Sequence, residues 1–108
     1  MLLYFKKHNN INLVDKVNEN IKIHTCRNNR RPNAGEPLFL RCGKSLNKQV
    51  CISTQEVKIN GDVVTIDNKI IDSELFAING GFESKNDINS FYGPNYSGFV
   101  IHFTKFRY

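Results

Sequence analysis

Apolar residues in this chain recur mostly at alternate positions, the period of half-buried strands. Leu2 to Phe5 reads as a short first strand, and Lys6 to Asn9 as a polar break. The period then lengthens. Ile11, Val14 and Val17 form one stripe, which predicts a helix over 11–19 capped by Asn10 and ended by Asn18-Glu19-Asn20. Alternation returns from Ile21 to Cys26. Asn28 to Gly35 is a loop carrying Pro32 and the turn residues Ala34-Gly35. Pro37 to Leu40 starts another strand, closed by Arg41, Cys42 and Gly43, and Lys44 to Lys48 reads as a polar loop. Gln49 to Ile59 is long and β-branched. Asn60-Gly61 is a strong hairpin signal, because both residues accept positive φ, so Val63 to Ile66 should pair back. Asp67-Asn68 makes a second turn before Ile70-Ile71.

Helical spacing reappears after Asp72. Ser73 can cap a helix carrying Leu75, Phe76 and Ile78, and Gly80-Gly81 stops it. Ser84 opens a further short helix through Asp87, Ile88 and Phe91, which Gly93-Pro94 breaks. Phe99 to Phe103 alternates as a last strand, followed by the tail Thr104 to Tyr108. Strands with helices inserted at separate places predict an α+β fold, a small β-barrel with two or three short helices. With 108 residues and no repeat or linker, the chain reads as a single domain over 1–108.

Composition narrows the function classes. No stretch approaches the roughly 20 apolar residues that span a bilayer, and Met1 to Phe5 is too short for a signal-peptide core. Cys26, Cys42 and Cys51 form no C-x-x-C pair; an odd count without a signal predicts reduced thiols and a cytoplasmic location. Cys26 next to Arg27 invites a lowered thiol pKa. His8, His24 and His102 show no metal-ligand spacing, and neither a metal nor a cofactor is expected. The charge is uneven. Residues 1–50 hold ten Lys and Arg against three acids, a net of +7, and residues 51–108 hold five against seven, a net of −2. A basic half on a small domain predicts an anionic partner, nucleic acid before a membrane surface, since no basic amphipathic helix is evident.

The chemistry concentrates between Lys22 and Arg31. Lys22, Arg27, Arg30 and Arg31 supply four cations in ten positions, and Thr25 adds a hydroxyl, a set suited to phosphate oxygens. Period-2 alternation cannot place Lys22, Thr25 and Arg27 on one face of a flat strand, so a bulge or the strand's end must re-aim one of them. The bland reading is a charged edge strand kept unpaired by its cations. Arg41, Lys44 and Lys48 extend the expected phosphate contacts. Tyr92 and Tyr96 are candidate stacking residues in a glycine-rich stretch, or simply pack beneath it.

Three patterns then align: Lys22-Ile23-His24-Thr25-Cys26-Arg27; Ala34-Gly35 leading into Leu38-Phe39-Leu40-Arg41; and Leu75 to Phe82 ahead of Val100-Ile101-His102-Phe103 and the tail to Tyr108. Together, from about residue 21 onward, they resemble the ASCH domain family in its short phage and prophage form. The resemblance implies a PUA-like β-barrel, association with RNA and a bacterial or phage-infected cytoplasm. Some members of the family are amidohydrolases that remove acetyl from N4-acetylcytidine with a K-x-x-T-x-R motif. Carried over, Thr25 would be the nucleophile, Lys22 the base and Arg27 a substrate contact. The family's carboxylate would fall at position 80, where this chain has Gly80, with Glu74, Glu83 and Asp87 as the nearby acids. Phage relatives carry Trp where Pro32 stands, which removes a stacking platform.

The leading expectation is a nucleic-acid-binding module, for RNA or a modified nucleoside. Its cleft is lined by Lys22, Thr25 and Arg27, and Arg30, Arg31, Arg41, Lys44 and Lys48 hold phosphates. The alternatives are the amidohydrolase just described, a ribonuclease using His24 and Lys22, and a protein-binding phage factor.

Overall fold

Asp67 and Asn68 take φ of 49° and 66° and join two paired strands, the turn their side-chain chemistry favours. The computed structural model describes residues 1–108 and contains β1 (Leu2–Tyr4), α1 (Leu13–Asn18), β2 (His24–Arg27), β3 (Pro37–Cys42), β4 (Ser45–Val50), β5 (Ser53–Asn60), β6 (Val63–Ile66), β7 (Lys69–Ile71), α2 (Ser73–Asn79), α3 (Asn86–Tyr92) and β8 (Asn95–His102). The strands form a three-stranded sheet in the order β1-β3-β4 and a five-stranded sheet in the order β2-β8-β5-β6-β7. β1 runs parallel to β3; every other pair is antiparallel. The α+β expectation is met. The ladders do not close into a barrel: β1 and β4 end one sheet, β2 and β7 the other.

Both sheets contribute to one core, by alternate residues in β3, β5 and β6 and by consecutive ones in β2 and at the end of β8. β3 contributes Leu38, Leu40 and Cys42, β8 contributes Val100 and Ile101, and α1 adds Leu13, Val14 and Val17. No helix is long and apolar enough to cross a membrane.

Several boundaries differ from the sequence expectation. The α1 cap is Asn12, not Asn10: its side chain accepts the Val14 and Asp15 N–H groups at 3.0 and 3.1 Å. The α2 cap is Asp72, one residue before Ser73. The first hairpin turns on Gly61 and Asp62, with Gly61 at φ 59°, while Asn60 stays in β5. The predicted long strand breaks at Cys51-Ile52, where the chain passes from one sheet to the other.

The largest correction is β4, expected as a polar loop over 44–48. Its inward polar residues meet polar partners on α1. Ser45 donates to the Asp15 carboxylate at 2.7 Å, and Asn47 donates to Asn18 at 2.7 Å. A strand needs apolar alternation only where both neighbours are apolar, and this one has a polar helix face behind it.

Candidate functional site

Lys22 lies just before β2 begins, so the strand's end, not a bulge, re-aims it. Its backbone N–H bonds the Lys16 carbonyl, and Ile23 bonds Asn79. Thr25 and Arg27 sit two apart on β2, an edge strand pairing with β8.

Lys22 is 2% exposed. Its Nζ donates to the Gly80 carbonyl at 2.6 Å and lies 5.7 and 5.9 Å from the Phe5 and Phe82 ring centroids. Burial lowers its pKa from the ordinary 10.5 to about 7; Cys26 opposes that shift and Arg27 adds to it. The geometry comes from the end of α2. Gly81 N–H bonds Ile78 and Phe82 N–H bonds Ala77, a Schellman ending that needs a left-handed residue, and Gly81 has φ 91°. A Cβ on Gly81 would also lie 3.1 Å from the Lys22 Cβ. The same ending turns the Gly80 carbonyl towards the lysine. The residue expected to carry the family carboxylate thus stands at Lys22, but as a backbone oxygen.

Thr25 is also 2% exposed, and its Oγ1 accepts from Arg27 at 3.2 Å. The Arg27 guanidinium donates further to the Cys26 carbonyl at 2.8 Å and the Tyr4 carbonyl at 3.0 Å, and sits 4.5 Å from the Phe5 centroid. Phe5 is therefore shared by Lys22 and Arg27. Lys22 and Arg27 meet at one ring and Thr25 joins them only through Arg27, so the three motif residues line no common cleft. No cavity is bordered by Thr25 or Arg27. Lys22 borders one of about 150 Å³ with Val17, Asn20, Ile23, Gln49, Phe103 and Thr104. The expected open cleft is replaced by aromatic packing from Phe5 and Phe82, which are distant in sequence.

No carboxylate pairs with Lys22. Glu74 accepts the Lys85 N–H, and the three ion pairs of the chain involve neither Glu83 nor Asp87. Cys26 is also corrected: burial raises its pKa to about 11 and outweighs Lys22 and Arg27. All three cysteines are free and buried. No group of His, Cys, Asp or Glu could hold a metal ion.

His24 is buried against Phe76, with its Nε2 bonded to the Tyr108 hydroxyl. Burial, then Lys22 and His102, hold its pKa well below 6.5. Asn79 donates to the same hydroxyl at 3.2 Å, and Gln55 bonds the Tyr108 backbone at both N and O. His102 completes the group through Gln55 Oε1 at 2.9 Å. The His24 and His102 Nδ1 atoms are buried without partners. This network fastens the tail to the five-stranded sheet. Tyr92 and Tyr96 pack together at 4.7 Å beside Cys26 and Arg27, which fits packing rather than a free stacking platform.

The remaining cations are spread over the surface. Arg30 donates to the Leu2 carbonyl at 2.8 Å, so Arg27 and Arg30 together occupy the open edge of β1. Arg31 bonds Thr54 at 3.1 Å and lies 4.9 Å from the Phe99 centroid. Arg41 and Lys48 stand on the outward face of the three-stranded sheet, and Lys44 is in the β3–β4 turn. Sequence reasoning missed two residues of that face, Tyr4 and Phe39. Their outward direction is hidden in the apolar runs Leu2 to Phe5 and Leu38 to Leu40.

No protein-family model, curated protein or solved structure matches the chain.

Proposed function

We propose that this chain is a nucleic-acid-binding module of ASCH type, with RNA as its ligand. The observation that carries the reading is where the cations of the basic half lie. Arg30, Arg41, Lys44 and Lys48 surround the β1-β3-β4 sheet, whose outward positions include no carboxylate. Such a field attracts a polyanion over long distances, and guanidinium groups with donors to spare suit phosphate oxygens. Arg30 uses one terminal nitrogen on a backbone carbonyl and Arg41 only its Nε. The sequence resemblance, with its PUA-like expectation, points to the same ligand class. The test is anisotropy with labelled RNA, comparing the wild type with an Arg30→Glu, Arg31→Glu variant. Binding that weakens in the variant supports the reading; no binding to any RNA overturns it.

A second reading, an amidohydrolase acting on a modified nucleoside, is favoured by one observation: Lys22, with a pKa of about 7, is neutral for part of the time near neutrality, as a base must be. The buried Thr25 and the glycine at position 80 weigh against it. The chain is therefore expected to turn over N4-acetylcytidine slowly or not at all.

A further inference from the structure

Alternation along β1, β3 and β4 leaves one face of that sheet in solvent. Its cross-strand rows are Leu2–Phe39–Lys48 and Tyr4–Arg41–Leu46. Tyr4 is 65% exposed and Phe39 44%. Leu2, Tyr4, Phe39, Arg41, Leu46 and Lys48 border a shallow groove of about 370 Å³. Aromatic rings left about half to two-thirds in water gain only part of the stabilisation that burial gives, so two of them interleaved with two cations call for another account.

We propose that this face binds a single-stranded nucleic acid, with unpaired bases stacked on Tyr4 and Phe39 and phosphates held by Arg41, Lys48 and Arg30. The inference rests on the nucleic-acid reading above and names its surface. Tyr4 and Phe39 are diagonal neighbours on adjacent strands, roughly 8 Å apart by sheet geometry. That separation suits two bases splayed onto separate rings, which only an unpaired strand can present. Lys48 Nζ lies 5.6 Å from the Phe39 centroid; it is an exposed cation on a flexible stem, free to move onto a phosphate.

A second copy of the chain fits less well. A two-fold face-to-face contact would bring together two faces that each carry Arg41 and Lys48 and no outward carboxylate to neutralise them. Strand addition at the β1 edge is blocked because Arg27 and Arg30 hold the Tyr4 and Leu2 carbonyls.

The experiment uses the full chain and labelled probes of about ten nucleotides: oligouridine RNA, the matching DNA strand and an RNA duplex. Tyr4→Ala, Phe39→Ala and the double variant are compared with the conservative Tyr4→Phe, and each is checked for an unchanged melting curve. The expected result is tighter binding of single strands than of duplex. Each alanine should weaken binding roughly tenfold, a loss of about 1.4 kcal/mol, with the salt dependence retained, while Tyr4→Phe binds like the wild type. Wild-type binding unaffected by either alanine overturns this surface and leaves the nucleic-acid reading standing. No binding to any probe overturns both. A dimer in sedimentation that the alanines dissociate, without RNA binding, assigns the face to a second copy and also overturns the proposal.

Discussion

The Lys22 ammonium donates to the Gly80 carbonyl at 2.6 Å, across 58 residues of sequence. A buried lysine with a carbonyl and two aromatic faces for company is held with no compensating negative charge. Its folded pKa of about 7 lies below the ordinary 10.5, so between those values the unfolded chain binds more protons than the folded one. Stability therefore rises with pH across that window and is lowest on this account below pH 7.

Urea midpoints measured at pH 7, 8 and 9 should show this rise, at most about 1.4 kcal/mol per pH unit. The window stops near pH 9, where the raised pKa of Cys26 begins to act in the opposite direction. Lys22→Met should remove the rise. Parallel pH profiles for the two proteins would show that the lysine is not buried as described.

Gly80 and Gly81 should answer substitution differently. Gly81 has φ 91° and an added Cβ would meet Lys22, so Gly81→Ala should cost about 1–3 kcal/mol in denaturant unfolding. Gly80 has an ordinary helical backbone, and its Cβ would meet the Phe82 ring at 3.3 Å. Gly80→Glu should fold and place a carboxylate near Lys22, raising the lysine pKa and shifting the pH-dependent rise towards the alkaline side. Cytidine release from N4-acetylcytidine should be absent or slow in the wild type. Robust wild-type turnover abolished by Thr25→Ala would contradict the binding reading.

Acid should loosen the tail. His102 has a folded pKa of about 4, lowered chiefly by burial, and His24 is held well below 6.5. For both, the unfolded chain takes up protons first, so the stability they contribute is present above pH 6.5 and is lost as pH falls towards 4. A melting temperature that stays level from pH 7 to pH 4.5 would rule this out. Tyr108→Phe removes the hydroxyl joining His24 and Asn79 and should cost about 1–3 kcal/mol at neutral pH.

The parts of this fold legible from sequence are those whose chemistry is local. Asp67-Asn68 declared its turn, and Gly81 declared the end of α2, because positive φ selects those residues. The spacing of Lys22, Thr25 and Arg27 suggested a common cleft, and the structure has none bordered by all three. The burial of Lys22 was not legible, because it depends on Phe5 and Phe82, which no local pattern ties to it. β4 was missed because the residues it turns inward are polar and find partners on α1. The exposed aromatic face went unseen for the same reason: placing Tyr4 and Phe39 side by side requires the parallel β1–β3 pairing, a contact across 37 residues.

The most direct test of the account is the salt dependence of RNA affinity. About four phosphate contacts give a log–log slope of roughly −3 for a single strand. Arg30→Glu with Arg31→Glu should weaken binding and flatten that slope. Anisotropy titrations of a short labelled RNA over a range of salt concentrations read both. A slope near −3 that flattens in the variant is the predicted result; affinity indifferent to salt, or identical in the two proteins, would contradict it.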